Sequence, residues 1–197
     1  MIGRQAKIFS PGDLQLLLTV AHDGRFPERN RLMILLTVRA ALRACEIANL
    51  TWEMVQDASG RISQTIEVRD SIAKRGSGRR VPMHPEIKKA LLALRRRSRA
   101  NDLKPGAPIL RSQKGGSLRA NSVVNWFVAA CRQAKLGGCS SHSGRRTFIT
   151  NTARVAHRVG ASLRDVQLLA GHRSIETTQG YIDGDSNAQR RLVSLLH

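Results

Sequence analysis

The hydrophobic pattern changes from a helical spacing to a strand-like alternation at one place in the chain, and this change constrains the fold most. The stretches "RISQTIEVRD" and "GRRVPM" contain β-branched residues in rough alternation, and "GSG" at 76–78 separates them. Such a pattern predicts a small antiparallel hairpin. Because the segments on both sides show helical spacing, the sequence predicts a mainly α protein with one small antiparallel β-sheet, an α+β fold.

Prolines and cap residues mark where the helices begin. Ser10, Pro11 and Asp13 supply a cap oxygen, a preset φ and an acid in the first turn, which predicts a helix start at Pro11. The helices predicted in this way cover residues 11–21, 27–42, 43–52, 87–99, 121–135, 147–159, 163–170 and 175–181. Since no linker interrupts them, we expect a single domain over residues 1–197.

Basic residues far outnumber acidic ones. The chain has 33 Lys and Arg against 14 Asp and Glu, a formal charge of +19 and an isoelectric point near 11.6. An excess of this size predicts an extended polyanion as partner. The charge is spread over the chain instead of lying in one amphipathic helix, so nucleic acid is favoured over a membrane surface. With only 4% aromatic residues, stacking on single strands is disfavoured, and we predict double-stranded DNA in preference to RNA.

Cysteine usage and hydropathy bear on the compartment. The three cysteines are odd in number and form no C-x-x-C motif, which favours free thiols in a reducing compartment. The longest apolar run, around residues 32–38, is far shorter than the roughly 18 residues of a membrane span. We therefore expect a cytoplasmic, nucleoid-associated protein that does not enter the membrane.

The acidic residues do not form a pattern for metal catalysis. Cleavage of a phosphodiester by metal ions needs clustered carboxylates or histidines, whereas the few acids here mostly stand at predicted turns or helix starts. We predict no metal site and no cofactor. Charge that develops on a phosphoryl group must then be met by fixed cations, and arginine suits this because its fork binds two phosphate oxygens and keeps its proton.

Three segments place a cation beside a hydrogen-bonding group. They are Arg43 and Glu46 at i, i+3 in "ALRACEI", His142 and Arg145 at the same spacing in "SHSGRRTF", and His172 after Gly171 in "AGHRS". Taken singly, each has a simpler interpretation, since a helical Arg–Glu pair is ordinarily a surface salt bridge and such histidines are ordinarily caps or half-buried rings. Lys74, beside a glycine turn, is ordinarily a solvated hairpin tip.

Together these positions follow a known catalytic pattern in order and spacing: Arg43, Lys74, His142, Arg145, His172 and Tyr181. The chain thereby resembles the tyrosine recombinases, or phage integrases, over roughly residues 9–182. The most specific parts are "GHRSIETTQGY" and a lysine seven positions before "VP". This resemblance implies the tyrosine recombinase catalytic-domain fold, that of the DNA breaking-rejoining enzymes.

The resemblance also implies a chemical role for the only tyrosine in the chain. A phenol, with a free pKa of about 10, needs a positive, hydrogen-bonding site to act as a nucleophile at neutral pH. In similar enzymes it attacks the scissile phosphate and leaves a 3′-phosphotyrosyl link and a free 5′-hydroxyl, without metal or ATP. Tyr181 would be this nucleophile, Lys74 would protonate the departing 5′ oxygen, and His142 would assist proton movement at the tyrosine.

The other site residues carry over from the same resemblance. Arg43 and Arg145 would hold the nonbridging oxygens, and His172 would donate a third hydrogen bond as negative charge accumulates. Glu46 would support this set without taking part in the chemistry. The resemblance therefore implies a site-specific recombinase or integrase.

Contacts to DNA are assigned by analogy as well. We expect the predicted helix 121–135 to lie against the groove through Arg119, Arg132 and Lys135. Arg75, next to the candidate lysine, is a further expected DNA contact. All four are outside the predicted catalytic set.

Two positions depart from the family pattern. Gly144 stands where relatives usually have a bulky aliphatic residue, and Arg146 stands where they frequently have a second histidine. Neither belongs to the predicted catalytic set. We expect a packing difference that loosens the loop around these residues.

The resemblance raises expectations about domains and assembly. Most relatives have a helical domain before the catalytic one, and only about ten residues precede the first predicted helix here. This predicts that the N-terminal DNA-binding domain is absent, either in an excised catalytic domain or in a short recombinase such as the invertases of fimbrial switches. Residues 183–197 are predicted to dock on a neighbouring protomer, which implies a monomer in solution and a homo-tetramer on paired sites.

Two other functions remain open on the sequence. A type IB topoisomerase shares the chemistry, although the short chain and the lysine hairpin favour a recombinase. A DNA-binding regulator with a decayed catalytic site is the other alternative, and the complete set of six positions argues against it.

Overall fold

The computed structural model describes residues 6–181 together with Val193 and Ser194. Within these residues the chain forms eight α-helices and one two-stranded sheet. In chain order they are α1 (Pro11–Asp23), α2 (Pro27–Ala40), α3 (Ala44–Ala48), β1 (Thr65–Val68), β2 (Arg79–Pro82), α4 (Pro85–Arg97), α5 (Ala120–Gln133), α6 (Ser141–Val155), α7 (Leu163–Ala170) and α8 (Ile175–Gln179). The prediction of a mainly α fold with one small antiparallel sheet is confirmed.

The first two helices begin where the sequence predicts. The Oγ of Ser10 accepts from the backbone N–H of Asp13 at 3.1 Å, and the Asp13 carboxylate accepts from the N–H of Ser10 at 2.9 Å. This capping box satisfies two donors at the start of α1. The next helix, α2, is the centre of the fold, because its residues from Leu32 to Leu36 are almost completely buried. It packs against α1, α4 and α6.

The hairpin forms from the two stretches that the alternation indicated. Strands β1 and β2 pair antiparallel, with Ile66 opposite Val81 and both buried. Gly78 precedes β2 at a position where a Cβ would lie only 2.8 Å from the carbonyl oxygen of Val68. Only glycine fits such a close backbone approach. The turn at 69–78 projects from this sheet, and it includes Lys74.

Helix α6 differs from the prediction, which placed its start at Thr147. It begins at Ser141, and the Oγ of Ser143 accepts from the N–H of Ser140 at 2.9 Å. Gly144 therefore lies inside a helix, and the expected loosening of a loop there is wrong. A Cβ at Gly144 would lie 2.1 Å from Thr37 Oγ1. The glycine thus lets α6 lie close against α2.

The end of α7 matches the predicted helix break. Gly171 follows the helix with φ 64°, in the left-handed region that commonly ends a helix. A shorter helix than predicted follows, since α8 ends at Gln179 and Tyr181 lies in the turn after it. A small cluster of Ile149, Ala156, Val166 and Ala170 joins these elements beside the main core.

Two remaining predictions concern the tail and the membrane. Apart from Val193 and Ser194, residues 183–197 lie outside the described residues, and the docking role predicted for them stays a prediction. None of the helices in the described part of the chain is long and apolar enough to span a bilayer.

Candidate active site

Arg43 and Glu46 meet at the start of α3, where Glu46 is buried and Arg43 is partly buried. Arg43 Nη1 donates to Glu46 Oε1 at 2.9 Å, and the backbone N–H of Arg43 donates to Oε2 at 2.8 Å. Arg43 Nη2 donates to the carbonyl oxygen of Gly171 at 3.1 Å. The Glu46 side chain has 0% exposure, so this pair is not the ordinary surface salt bridge.

Arg79 binds the other side of the same carboxylate, and the sequence reasoning did not include it. Its Nη1 and Nη2 each lie 3.0 Å from one oxygen of Glu46, and its Nε donates to the carbonyl oxygen of Leu169 at 2.8 Å. Strand alternation is the sequence signal that could have identified Arg79. This residue stands two positions before the buried Val81 on β2 and so shares its face.

Burial and neighbouring charges have opposite effects on the pKa of Glu46. Burial alone would raise the pKa of this carboxyl, but hydrogen bonds and charges from Arg79 and Arg43 lower it below its ordinary value. Glu46 is therefore an anion at neutral pH.

Arg145 lies on α6 and is 4% exposed. Its Nη1 donates to the carbonyl oxygen of Ala41 and its Nη2 to that of Ala170, the latter at 2.6 Å. These carbonyls stand at the ends of α2 and α7, where helix dipoles favour a cation. Burial first, and then the charges of Arg43 and Arg79, lower the pKa of Arg145 to about 10. The guanidinium stays charged at neutral pH. We call Arg43, Glu46, Arg79 and Arg145 the arginine cluster.

His172 and Tyr181 stack beside the arginine cluster. Their ring centroids are 5.3 Å apart with 24° between the planes. The Nδ1 of His172 lies 2.9 Å from Thr178 Oγ1, and the amide of Gln167 donates to the His172 carbonyl oxygen at 3.0 Å. The sequence reasoning assigned no role to Thr178 or Gln167, although Thr178 belongs to the Thr-Thr pair of the motif.

The imidazole of His172 is held in its neutral form. Burial first, and then the charges of Arg145, Arg43 and Arg79, lower its pKa to about 4. At neutral pH the ring is uncharged, with one nitrogen able to donate a hydrogen bond and the other able to accept one.

Tyr181 borders a cavity of about 330 Å³. The Oγ1 of Thr150 donates to its carbonyl oxygen at 2.9 Å, which ties the turn after α8 to α6. His142, exposed near the start of α6, and Arg146 line the same cavity. Two of the predicted site residues, His142 and Tyr181, therefore share one cavity.

The surroundings of Lys74 differ from those of the arginine cluster. It is exposed in the turn between β1 and β2, and its ammonium has no hydrogen-bond partner among residues 6–181. The turn is nevertheless tied to the segment after His172, because Arg173 Nη2 donates to the carbonyl oxygen of Arg75. Arg75 itself is exposed.

The predicted DNA contacts on α5 are exposed but dispersed. Arg119 precedes the helix, Arg132 lies in its last turn, and Lys135 follows it. With a rise of 1.5 Å per residue, Arg119 and Arg132 lie about 20 Å apart along the axis. They do not join the arginine cluster, and their role as DNA contacts stays a prediction.

A metal centre would need several acidic, histidine or cysteine ligands together. Among the residues that the structure describes, no three such side chains lie close enough to hold an ion.

Known proteins resemble this chain in sequence. It is 32% identical to the tyrosine recombinase XerC of Brucella suis over 187 residues, which cover 90% of this chain and 55% of that protein. It is 30% identical to the tyrosine recombinase XerD of Pseudomonas putida over 179 residues, which cover 89% and 56% of the two chains. The chain thus spans about half the length of these relatives, and the predicted absence of a preceding domain stays a prediction.

The fold has a close match among solved structures. The XerH site-specific recombinase, in a post-cleavage complex with a palindromic difH substrate, superposes with a TM-score of 0.75 at 21% identity. The match covers 98% of this chain and 54% of XerH, which shows that the two share a fold.

The family model agrees with both comparisons. The model of the phage integrase family matches residues 7–188, which include all six residues of the predicted catalytic set. This chain belongs to the phage integrase family, the tyrosine recombinases.

Proposed function

We propose that this chain cuts and rejoins strands of duplex DNA at specific sites through a covalent bond to Tyr181. One observation carries the proposal: the arginine cluster holds three guanidinium groups and one carboxylate, an excess of two positive charges, next to the stacked phenol. Such a buried excess suits a negatively charged group brought to the surface of the cluster.

Duplex DNA is the substrate that supplies this group. The net charge of +19 attracts a polyanion without regard to its sequence. Family membership adds to this argument, since the relatives are tyrosine recombinases and XerH was solved with a palindromic difH substrate. The scissile phosphodiester would lie over Arg43 and Arg145.

The charge of the cluster matches the transition state better than the substrate. A phosphodiester carries one negative charge, and attack by a phenolate oxygen brings the total to two. Arg43 and Arg145 would face this charge across a partly dry site, where hydrogen bonds and charges act more strongly than in water. Binding the dianion more tightly than the monoanion accelerates cleavage.

His172 would contribute as a neutral donor. When the hydroxyl of Thr178 donates to Nδ1, the proton of the ring stands on Nε2, which can then donate to a phosphate oxygen. The low pKa of His172 favours this form over the cation. His172 would thus stabilise developing charge through a hydrogen bond.

Two proton transfers complete the reaction. The oxygen of Tyr181 attacks phosphorus as its proton passes to His142 or to water in the shared cavity. The bond from phosphorus to the 5′ oxygen breaks, and Lys74 gives this oxygen a proton. The products are a 3′-phosphotyrosyl ester and a 5′-hydroxyl, and attack by a 5′-hydroxyl from another strand reverses the steps.

Complete recombination needs several copies of the chain. Two duplexes have four strands to cut, and each cut uses one Tyr181. We therefore propose a homo-tetramer on paired sites, formed from monomers that are separate in solution.

The adduct itself is the test of the proposed function. Purified protein would be incubated with a pool of duplexes that have a randomised core and a nick just beyond each candidate position. A cleaved fragment next to the nick diffuses away, so the covalent complex accumulates and resists SDS. We expect an adduct whose only modified residue is Tyr181, which is unambiguous because the chain has one tyrosine.

Tyr181→Phe is the matched control, since it removes one oxygen and keeps the ring that stacks on His172. It should bind DNA and form no adduct. Binding without any adduct in the unmodified protein would contradict strand cleavage and support a DNA-binding regulator. Relaxation of supercoiled DNA by a monomer would support a topoisomerase instead.

A further inference from the structure

We propose that Arg79 is a positioning residue that balances the charge of Glu46, so that Arg43 can both be held in place and act with its full charge on the phosphate. This inference rests on the proposed function and assigns a residue that does not belong to the predicted catalytic set. Its basis is the set of contacts that Arg79 makes inside the arginine cluster.

Arg79 joins three parts of the site at once. Its fork binds both oxygens of Glu46 at 3.0 Å, and its Nε donates to the Leu169 carbonyl at 2.8 Å. Its side chain also lies against Gly171, where a Cβ would approach Arg79 Cδ to 2.9 Å. Strand β2, helix α3 and the end of α7 thus meet at one guanidinium.

Glu46 alone would create a conflict at Arg43. The carboxylate holds the guanidinium of Arg43 at 2.9 Å, which fixes its direction. The same contact would cancel most of its charge, because a buried ion pair presents little net field to a third group. A second cation on the carboxylate removes this conflict, since Arg79 and Glu46 then form the neutral pair.

Arg79 directs its guanidinium at protein groups in this arrangement. Its side chain is 6% exposed, and both of its Nη atoms bind the carboxylate of Glu46, whereas the Nη atoms of Arg145 bind neutral carbonyls. Its effect on the reaction would therefore pass through Glu46 and Arg43. It is therefore a positioning residue and not a catalytic one.

Charge replacement in pairs tests this inference. Arg79→Gln leaves Glu46 paired with Arg43 alone and should slow single-turnover adduct formation about 100-fold at saturating DNA, while the Kd changes less than threefold. The double variant Glu46→Gln with Arg79→Gln restores the excess of two positive charges. It should form the adduct at least tenfold faster than Arg79→Gln does. Arg79→Lys keeps the charge without the fork and should stay within about tenfold of the unmodified protein.

The adjacent Arg80 supplies the matched control. It is exposed and stands opposite Glu67 in the hairpin, on the other face of β2. Arg80→Gln removes the same charge from the same strand and should form the adduct at the unmodified rate. A double variant no faster than Arg79→Gln would overturn the inference, as would equal rates for Arg79→Gln and Arg80→Gln.

A neutral substrate distinguishes an effect of Arg79 on the charge that faces the phosphate from support of the fold. A methylphosphonate at the captured cleavage position lacks the negative charge of the phosphate. The defect of Arg79→Gln should shrink at least tenfold on this substrate. A defect of the same size on both substrates would show that Arg79 only supports the fold, and it would overturn the inference.

The role of Arg79 can still be tested if Arg79→Gln fails to fold. If circular dichroism shows that Arg79→Gln is unfolded, the double variant decides, because its two amides have no charge to balance. A rate within tenfold of the unmodified protein supports the inference, and a slower rate overturns it. Absence of a Tyr181-dependent adduct in the unmodified protein would instead remove the proposed function.

Discussion

The arginine cluster and the hairpin turn at 69–78 are organised in opposite ways. In the cluster, every guanidinium is bound to a carboxylate or to backbone carbonyls, and Glu46 is fully buried. In the turn, Lys74 and Arg75 are exposed, and the ammonium of Lys74 has no partner within the described residues. The groups proposed for charge stabilisation are thus held by protein contacts, whereas the proposed proton donor has no such contact among the described residues.

Side-chain chemistry explains this difference. Guanidinium keeps its proton even when buried, as at Arg145, where the pKa is lowered only to about 10. Burial of an ammonium lowers its pKa much more readily and would favour the neutral amine. An acid that must carry a proton at neutral pH is better kept at the surface until the substrate covers it. We therefore expect substitutions in the turn to lower the cleavage rate alone. Substitutions near the arginine cluster should also lower the free energy of unfolding.

The largest effect is expected for Lys74→Ala. We expect single-turnover cleavage to slow by about 10²- to 10³-fold, because the 5′ oxygen would leave without its acid. The free energy of unfolding should change by less than about 0.5 kcal/mol, since an exposed side chain with no partner is lost. Adduct formation and urea denaturation measure the two quantities.

A substrate with sulfur in place of the 5′ bridging oxygen sharpens this result. A thiolate leaves without protonation, so Lys74→Ala should cleave it nearly as fast as the unmodified protein does. Lys89→Ala, an exposed lysine on α4, is the control and should leave both rates unchanged. A defect of equal size on the sulfur substrate would mean that Lys74 is not the acid.

The next effect concerns the contact that places Arg145. A Cβ at Gly144 would lie 2.1 Å from Thr37 Oγ1 and 2.7 Å from Thr37 Cβ, so Gly144→Ala must move α6 away from α2. We expect a loss of about 3 kcal/mol in the free energy of unfolding. Cleavage should slow as well, because Arg145 donates to the carbonyl of Ala41 just beyond α2.

Gly106→Ala is the control for this substitution. No atom lies within 4 Å of a Cβ at Gly106, so its unfolding midpoint in urea should stay unchanged. Unaltered stability in Gly144→Ala would show that α6 can move away from α2 at no cost, and it would contradict the close packing that we assign to Gly144.

The smallest effect is a pH dependence from His172. The pKa of His172 is about 4 in the folded chain, below the ordinary value of 6.5, so the unfolded chain binds more protons between these pH values. Stability from the neutral ring is complete above pH 6.5 and is lost as the pH falls toward 4, with about 2 kcal/mol lost by about pH 5. Urea denaturation at several pH values measures this loss.

Two histidine variants isolate the contribution of the buried ring. His172→Gln should reduce the pH dependence between 6.5 and 4, whereas His142→Gln, at an exposed position, should retain it. An unchanged dependence in His172→Gln would assign the effect to other groups.

Local rules accounted for the features that involve neighbours in sequence. The capping box at Ser10, the hairpin around 76–78 and the left-handed end of α7 at Gly171 all depend on residues within a few positions of one another. The order of charged residues also pointed to the family, because spacing along a chain can be compared directly. These predictions needed no knowledge of which elements pack together.

Features that depend on distant partners could not be obtained in this way. In the sequence Arg79 looks like one of many surface cations, and only the structure shows that it binds Glu46. A glycine at 144 likewise disfavours a helix by local rules, and only the structure shows that Thr37 packs against it. The early start of α6 has the same origin, since burial against α2 outweighs the low helix propensity of its first residues.

The amino-acid sequence alone determined the fold class, the excess of positive charge and the order of the candidate site residues. The tertiary structure decided which cations are buried together, which carbonyls hold them, and which candidate remains exposed on the hairpin. The physical reason is that charge and hydrogen-bond strength depend on burial and on groups far away in sequence, and only folding brings these groups together.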